Sequence, residues 1–293
     1  MNMNANQEIV LVAEGAAAEE CADTLRERLM NGQVIPYLGP GLLNFDGATA
    51  AVPGAPEAVA AALCLRQPAP SRIRTNMWSV AQYIEQRRHR KTLAAWMSEI
   101  FAERSTPTAL HMFLAGLKLP LIVDSWYDGA MREALVSAKA DGVVNLQGTS
   151  RALEHRDIWT KAYDLAGDAV DPDSFATTVL YEPHGSRAPA GNFLVADSDY
   201  VEVLTEIDIQ TPIPDVIRRL RTERGFLFLG CRFDDQMLRT YARQIMKRSA
   251  GPHYAVMDPD TLTRNERRFL AQNGIAVIAL KPEAITRRWL ASA

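Results

Sequence analysis

Short apolar runs alternate with amphipathic helical patterns along most of this chain. Between the runs, apolar residues recur at helical spacing with charges in the gaps, as at Leu25 and Leu29. Strands that alternate with helices favour a mainly parallel sheet covered by helices on both faces. We therefore predict an α/β, doubly wound, Rossmann-like fold. The predicted strands are 34–38, 121–123, 143–146, 177–181, 226–229, 254–257 and 276–280.

The alternation is interrupted once, after the first predicted strand. A stretch rich in Gly, Ala and Pro covers residues 44–56, and helical patterns then dominate from Glu57 to Leu117. The chain has no internal repeat and no low-complexity linker. We predict a single domain over residues 1–293, with a mostly helical insertion at about 44–117.

Composition and charge narrow the class of protein. Apolar residues make up 47% and charged residues 23% of the 293 positions, values typical of a soluble globular chain. The net charge of -3 provides no positive field for nucleic acid or an anionic membrane. Cys21, Cys64 and Cys231 form no C-x-x-C pair, so neither a disulfide framework nor a zinc site is expected. With no signal peptide and no membrane span, we expect a cytoplasmic, metal-free protein.

Unusual residues come directly after four of the predicted strands, where ligands bind in such sheets. The first strand ends in Gly39-Pro40-Gly41, followed by Leu42. Glycines let backbone approach a pyrophosphate, but Asn44 stands where a third glycine would complete G-x-G-x-x-G. By spacing alone, an ordinary tight turn and a phosphate loop are equally good interpretations.

The second strand runs directly into Asp124-Ser125-Trp126-Tyr127-Asp128. Acids, a hydroxyl and aromatic rings at a strand end can hold a ribose or a flat ring. The alternative is that Ser125 or Asp128 caps the next helix while the rings pack in the core. For Asp128 we favour capping.

Two more strand ends carry candidate chemistry. His184-Gly185 follows the strand at 177–181, and a histidine there can act as a general base near neutral pH. A lone histidine is more often a hydrogen-bonded structural residue. Gly230-Cys231 follows the strand at 226–229, and Asp234 or Asp235 beyond it can cap a helix or hold a ribose hydroxyl, capping being favoured for at least one of the two.

Taken in order, these segments resemble the sirtuin-like NAD hydrolase family, in particular bacterial members that lack the deacetylase zinc module. VIPYLGPGLL is similar to the family's first glycine motif, G-A-G-x-S, and YEPHGS to its L-H-G-(S/D) motif. PLIVDSWYDGAMREAL is similar to P-(L/I)-I-x-T-T-N-Y-D-x-x-(I/L)-E, and GFLFLGCRFDDQML to L-F-I-G-x-S-x-x-D-x-x-(L/I). The similarity extends from about residue 25 to about residue 280.

The resemblance implies roles for individual residues. His184 is placed as the catalytic histidine beside the nicotinamide ribose, with Ser125 and Asp124 as its possible partners in catalysis. The residues implied to contact NAD or ADP-ribose are Gly39, Gly41, Leu42, Trp126, Gly185, Gly230 and Cys231.

The departures from the family pattern matter as much as the matches. Trp126 stands at the position of the catalytic Asn, and Asp124 and Ser125 replace two Thr. An Asn amide both donates and accepts hydrogen bonds, whereas an indole only donates. The favoured hypothesis is therefore a nucleotide-binding, catalytically degenerate protein that acts as an accessory or regulator, with a protein partner or a homo-oligomer left open. The alternative is a defence-type NAD glycohydrolase with His184 as base; deacylation is not expected.

Overall fold

The computed structural model describes residues 10–45, 47, 50–149, 158–174, 176–206 and 213–291, with side chains left out at 203–206. Over this part of the chain, a large sheet of nine strands is covered by helices on both faces. The α/β, doubly wound, mainly parallel fold predicted from the sequence is confirmed.

The sheet is parallel except at one edge. Its strand order is β1-β11-β10-β9-β2-β3-β6-β4-β5, and only β4 and β5 pair antiparallel. A separate two-stranded ribbon is formed by β7 and β8. The strands are β1 (Val12–Ala13), β2 (Val34–Leu38), β3 (Leu121–Asp124), β4 (Val143–Gly148), β5 (Thr160–Tyr163), β6 (Thr178–Glu182), β7 (Gly185–Ser186), β8 (Asn192–Phe193), β9 (Gly225–Leu229), β10 (His253–Val256) and β11 (Ile275–Ile278).

The central strands are apolar and buried on both faces. Side chains of β2 alternate between two hydrophobic clusters: Ile35 and Tyr37 pack on one face, Val34 and Leu38 on the other. This burial explains why the strands read as continuous apolar runs in the sequence. The seven predicted strands all form, with ends shifted by up to two residues, whereas the short strands β1, β5, β7 and β8 were not predicted.

Helices fill the connections between strands. Four of them, α2 to α5, lie between β2 and β3, the stretch in which the sequence has its dominant helical patterns. The helices are α1 (Gly15–Met30), α2 (Pro56–Arg66), α3 (Met77–Arg88), α4 (Arg90–Ile100), α5 (Ala109–Gly116), α6 (Ala130–Ser137), α7 (Asp197–Glu206), α8 (Asp215–Arg221), α9 (Gln236–Met246), α10 (Arg264–Gln272) and α11 (Pro282–Ala291). In the described part of the chain, no helix combines the length and apolar character that a membrane span requires.

The strand order reverses direction between β2 and β9. On one side of β2 lie β3, β6, β4 and β5, and on the other lie β9, β10, β11 and β1. A crevice opens at such a switch point, beyond the carboxyl ends of the strands, and is the usual ligand position in this architecture. The loops after β2 and β9 therefore mark the place to look for a site.

Candidate functional site

The loops after β2 and β9 touch each other through glycines. The Gly39 amide donates to the Leu229 carbonyl oxygen at 2.9 Å, and the Gly41 amide donates to the Gly230 carbonyl oxygen at 2.9 Å. A Cβ on Gly39 or Gly41 would lie 2.6 or 2.8 Å from that same oxygen of Gly230. These glycines therefore serve the contact between the two loops, and the Gly41 amide is already used there.

Gly230 is the tightest point of this contact. Its φ is +67°, in the left-handed region that favours glycine, and a Cβ would lie 2.2 Å from the Leu42 amide nitrogen. The close approach keeps the switch point narrow and backbone-lined. Leu42 is buried, whereas Gly41 and Gly230 both line an adjoining cavity.

A cavity of about 660 Å³ lies over the carboxyl ends of β9, β10 and β11. Its wall comprises 230–232 after β9, 256–261 around the end of β10 and 279–282 after β11, with Gly41 and Glu14 at its margin. The volume lies within the range of ordinary small-molecule sites. We call this side of the sheet edge the open half.

The open half has charged groups at its rim. Arg232 binds Glu266 through two hydrogen bonds, from Nε to Oε1 at 2.9 Å and from Nη2 to Oε2 at 3.0 Å. Burial raises the pKa of Glu266, but hydrogen bonds from Arg232, the Thr263 amide and the Phe233 amide outweigh it and lower the pKa to about 2. Arg232 is thus fixed by a permanently ionised partner at the cavity wall.

Asp258 and Lys281 are two further charged residues in the cavity wall that a ligand could contact. Asp258 comes shortly after β10, and its Oδ1 accepts a hydrogen bond from the Asp260 amide at 2.9 Å. Lys281 directly precedes α11 on the opposite wall. A carboxylate at a strand end of this kind can accept hydrogen bonds from ribose hydroxyls, and a lysine can pair with phosphate.

The other side of the edge, after β3 and β6, is filled by aromatic rings. Trp126 is 2% exposed, and its Nε1 donates to the Pro53 carbonyl oxygen at 2.7 Å. Its ring centroid lies 5.0 Å from that of Tyr127 and 6.0 Å from that of Phe101. We call this side the packed half. The indole occupies the position that the resemblance gave to a polar amide.

His184 lies inside this aromatic packing. It is 2% exposed, and its ring centroid is 4.5 Å from Tyr241 and 5.4 Å from Tyr200. Its Nδ1 shares a 3.1 Å hydrogen bond with the Tyr200 hydroxyl, and Nε2 has no hydrogen-bond partner among the described residues. Burial lowers the pKa of His184 to about 3, so the imidazole is neutral at physiological pH.

The remaining candidates from the sequence are also buried. The Ser125 hydroxyl donates to the Leu38 carbonyl oxygen at 2.7 Å, and the Cys231 thiol lies 3.4 Å from the Tyr37 carbonyl oxygen. The space between these two residues measures only about 10 Å³. Burial raises the pKa of Cys231, so the thiol stays protonated. Gly185 begins the β7–β8 ribbon at φ +77°.

Three buried carboxyl groups lie beneath the packed half. Burial raises the pKa of Glu182 to about 7, although the Asn145 and Gln147 amides donate to it at 2.7 and 2.8 Å. Burial raises the pKa of Asp128 to about 6 and raises that of Asp124 as well, and the charges of Asp128 and Glu182 add to the effect on Asp124. The cluster therefore holds protons near neutral pH.

The capping prediction is confirmed for Asp235, the N-cap of α9, whose Oδ1 accepts from the Met237 amide at 2.7 Å. At α6 the N-cap is Gly129, and Asp128, one residue earlier, accepts from the Ala130 amide through Oδ1 at 2.6 Å. Among the described residues, no group of three or more His, Cys, Asp or Glu side chains is arranged to hold a metal ion.

Most charged residues of the open half were not predicted from the sequence. Arg232, Asp258 and Lys281 line the cavity but were not among the candidates. Asp258 gave the same signal as the residues that were chosen, because it is a charged residue at the end of an apolar run. Lys281 gave the same signal, because it directly follows the predicted strand 276–280.

The fold and this edge define an α/β protein with a crevice at its switch point, the usual ligand position in this architecture. A family model described as SIR2-like domain matches residues 120–278, more than half of the chain. The chain belongs to this family, as the sequence motifs indicated. No curated protein matches it.

Proposed function

We propose that this protein binds the ADP-ribose part of NAD, or ADP-ribose itself, in the open half and does not cleave the nicotinamide–ribose bond. In this proposal it acts as an accessory or regulatory protein through its bound state. The observation that carries the proposal is the contrast between a cavity of about 660 Å³ after β9–β11 and the burial of Trp126 and His184, each 2% exposed, after β3 and β6.

The open half fits an adenosine diphosphate moiety in size and chemistry. The glycine contact between Gly41 and Gly230 leaves only backbone at the switch point, where a pyrophosphate can approach closely. Arg232 and Lys281 supply positive charge for phosphate oxygens, and Asp258 supplies an acceptor for ribose hydroxyls. Asp258 would also repel a 2′-phosphate, so we expect preference for NAD over NADP.

The packed half does not fit the nicotinamide ribose. Cleavage of its bond to nicotinamide needs a positioned acceptor and a polar environment for an oxocarbenium-like state. Trp126 donates its one N–H to Pro53, and Ser125 donates its O–H to Leu38, so neither has a donor left with which to position a water. Loss of one such positioning group costs about 10²–10³ in rate in well-studied enzymes.

A second candidate function, NAD hydrolysis with His184 as general base, has one observation in its favour. The Nε2 atom of His184 is buried without a hydrogen-bond partner among the described residues, and the ring is neutral. Against it, a base with a pKa of about 3 takes up a proton poorly near neutral pH. The rings of Tyr200 and Tyr241 also cover the imidazole.

Calorimetric titration of the purified protein with NAD and with ADP-ribose separates the two functions when released nicotinamide is measured in the same cell. We expect both ligands to bind with similar affinity and no nicotinamide to appear. Release of nicotinamide that is lost in His184→Ala would establish the hydrolase. If neither NAD nor ADP-ribose binds, both proposed functions are contradicted.

A further inference from the structure

A second concave site lies away from the open half, between α8 and the carboxyl end of α9. It is a cleft of about 340 Å³ lined by Asp215, Arg218, Arg219, Arg221, Thr222 and Arg248. It shares no lining residue with the cavity over β9–β11. Of the described residues, four guanidinium groups and one carboxylate line this space.

The cleft is built around Arg221, which is fixed and nearly fully buried. Its Nη1 donates to the Gln244 carbonyl oxygen at 2.8 Å and to the Ile245 carbonyl oxygen at 2.6 Å, at the last turn of α9. Burial lowers the pKa of Arg221, and the neighbouring charges of Arg218 and Arg248 lower it further. The guanidinium groups therefore repel one another.

The positive charge of the cleft is only partly balanced by neighbouring carboxylates. Asp215 pairs with Arg218. Arg219 and Arg248 are exposed and have no carboxylate partner within the described residues. Capping of a helix carboxyl end by a cation explains Arg221, whose bonds engage the terminal carbonyls of α9, but gives no role to Arg219 and Arg248.

We propose that this cleft binds a compact anion with two or more phosphate groups. A planar guanidinium donates in a fork that matches phosphate oxygens, and a phosphate accepts from several such forks, whereas one carboxylate is satisfied by one or two. An anion placed among Arg219, Arg221 and Arg248 turns their mutual repulsion into attraction. The volume exceeds what a single phosphate needs and suits a pyrophosphate-sized group.

Inorganic pyrophosphate titrated into the full-length protein by calorimetry tests the proposal. We expect binding that weakens at least about tenfold in the double variant Arg219→Ala/Arg248→Ala, because each charge-assisted hydrogen bond contributes appreciably. Arg219→Lys/Arg248→Lys should lie between, since it keeps the charge and loses the fork. Both positions are exposed, so circular dichroism melting should show folded variants.

Two controls distinguish pyrophosphate binding in this cleft from nonspecific attraction by surface charge and from binding in the open half. Arg72→Ala/Arg287→Ala removes two exposed arginines elsewhere and should leave pyrophosphate affinity within about twofold. Repeating the titration with the open half saturated by ADP-ribose should also leave the pyrophosphate affinity of the cleft within about twofold, since the two cavities share no lining residue. Absence of pyrophosphate binding, equal weakening by either control, or binding of a single-stranded RNA oligomer in place of pyrophosphate would overturn the proposal.

Discussion

The open and packed halves occupy the same edge of one sheet, yet their strands lead into different kinds of residue. After β9, β10 and β11 the chain continues with glycine or with short polar segments such as those of Asp258 and Lys281. After β3 and β6 it continues with Trp126 and His184, which lie within aromatic packing. The backbone architecture offers a crevice along the whole edge, and side chains decide which part of it stays open.

In the proposed function, this difference separates nucleotide binding from catalysis. The open half keeps close backbone approach and opposite charges at its rim, which are the requirements of nucleotide binding. The packed half consists largely of buried aromatic surface, and such burial stabilises the fold by roughly 25 cal/mol for each Å² of apolar area removed from water. Substitutions in each half test whether the two halves differ in this way. Their expected effects range from loss of the fold to small changes in ADP-ribose affinity.

Substitution of Gly230 should have the largest effect because the switch point depends on it. Gly230→Ala combines a strained positive φ, costing about 1–2 kcal/mol, with a Cβ placed 2.2 Å from the Leu42 amide nitrogen. We expect loss of the folded protein or of all ADP-ribose binding, measured by urea unfolding and calorimetry.

Gly274→Ala is the matched control for that change. Gly274 has a similar φ of +61°, but a Cβ there would meet nothing within 4 Å. Its cost should be the backbone strain alone, about 1–2 kcal/mol, with ADP-ribose affinity unchanged. Equal effects of the two substitutions would show that the loop contact at Gly230 is unimportant.

Trp126→Asn removes a central ring from the aromatic packing of the packed half. Removing a fully buried indole should lower the free energy of unfolding by about 3–5 kcal/mol, as for other large-to-small changes in cores. ADP-ribose affinity should stay within about twofold, because the indole lies outside the open half. Trp96→Asn, at a half-buried position, should cost clearly less. A large loss of nucleotide affinity in Trp126→Asn would contradict the separation of the two halves.

The buried carboxyl groups predict how stability depends on pH. The folded protein holds a proton on Glu182 up to about pH 7, whereas the unfolded chain releases it near pH 4.5. The folded state thus binds more protons in this window, so this group makes stability fall as pH rises from about 4.5 to 7. Glu182→Gln should remove that fall and stabilise the protein at pH 8, relative to pH 4.5, by about 3 kcal/mol.

Exposed Glu223→Gln serves as the control for Glu182→Gln in thermal melts at both pH values. It should leave the pH dependence of the wild type unchanged. If Glu182→Gln also leaves that dependence unchanged, Glu182 does not hold a proton in the folded state, and the electrostatic description of the packed half is wrong.

The smallest expected effect concerns nucleotide affinity at His184. His184→Ala should change ADP-ribose affinity by less than about twofold, whereas Asp258→Ala, in the open half, should weaken it about tenfold by removing the ribose acceptor. Calorimetric titration of both variants with ADP-ribose measures the two affinities. The reverse order of effects would place the ligand in the packed half.

Much of this fold could be predicted from the sequence because its central strands are continuous apolar runs. The run Val34–Leu38 and the run ending at Leu229 form adjacent parallel strands, and a glycine comes directly after each. The two-residue strands β1, β7 and β8 carry no periodicity of their own, and tertiary pairing alone defines them. Capping at Asp235 was predictable, since it depends on local sequence.

The site was harder to predict because burial is a tertiary property. His184 and Ser125 are polar residues at strand ends, as catalytic groups often are, but the rings that cover His184 come from α7 and α9. Arg232 joins the site through Glu266, which lies 34 positions further along the chain. Such a pairing leaves no pattern in the sequence.

The most direct test of the account is to titrate each half with its own part of the dinucleotide. AMP represents the adenosine side, and nicotinamide mononucleotide represents the side that is cleaved in hydrolysis. The account predicts that AMP binds and is weakened by Asp258→Ala, while nicotinamide mononucleotide gives no binding heat. Binding of nicotinamide mononucleotide that disappears in His184→Ala, with no binding of AMP, would contradict it.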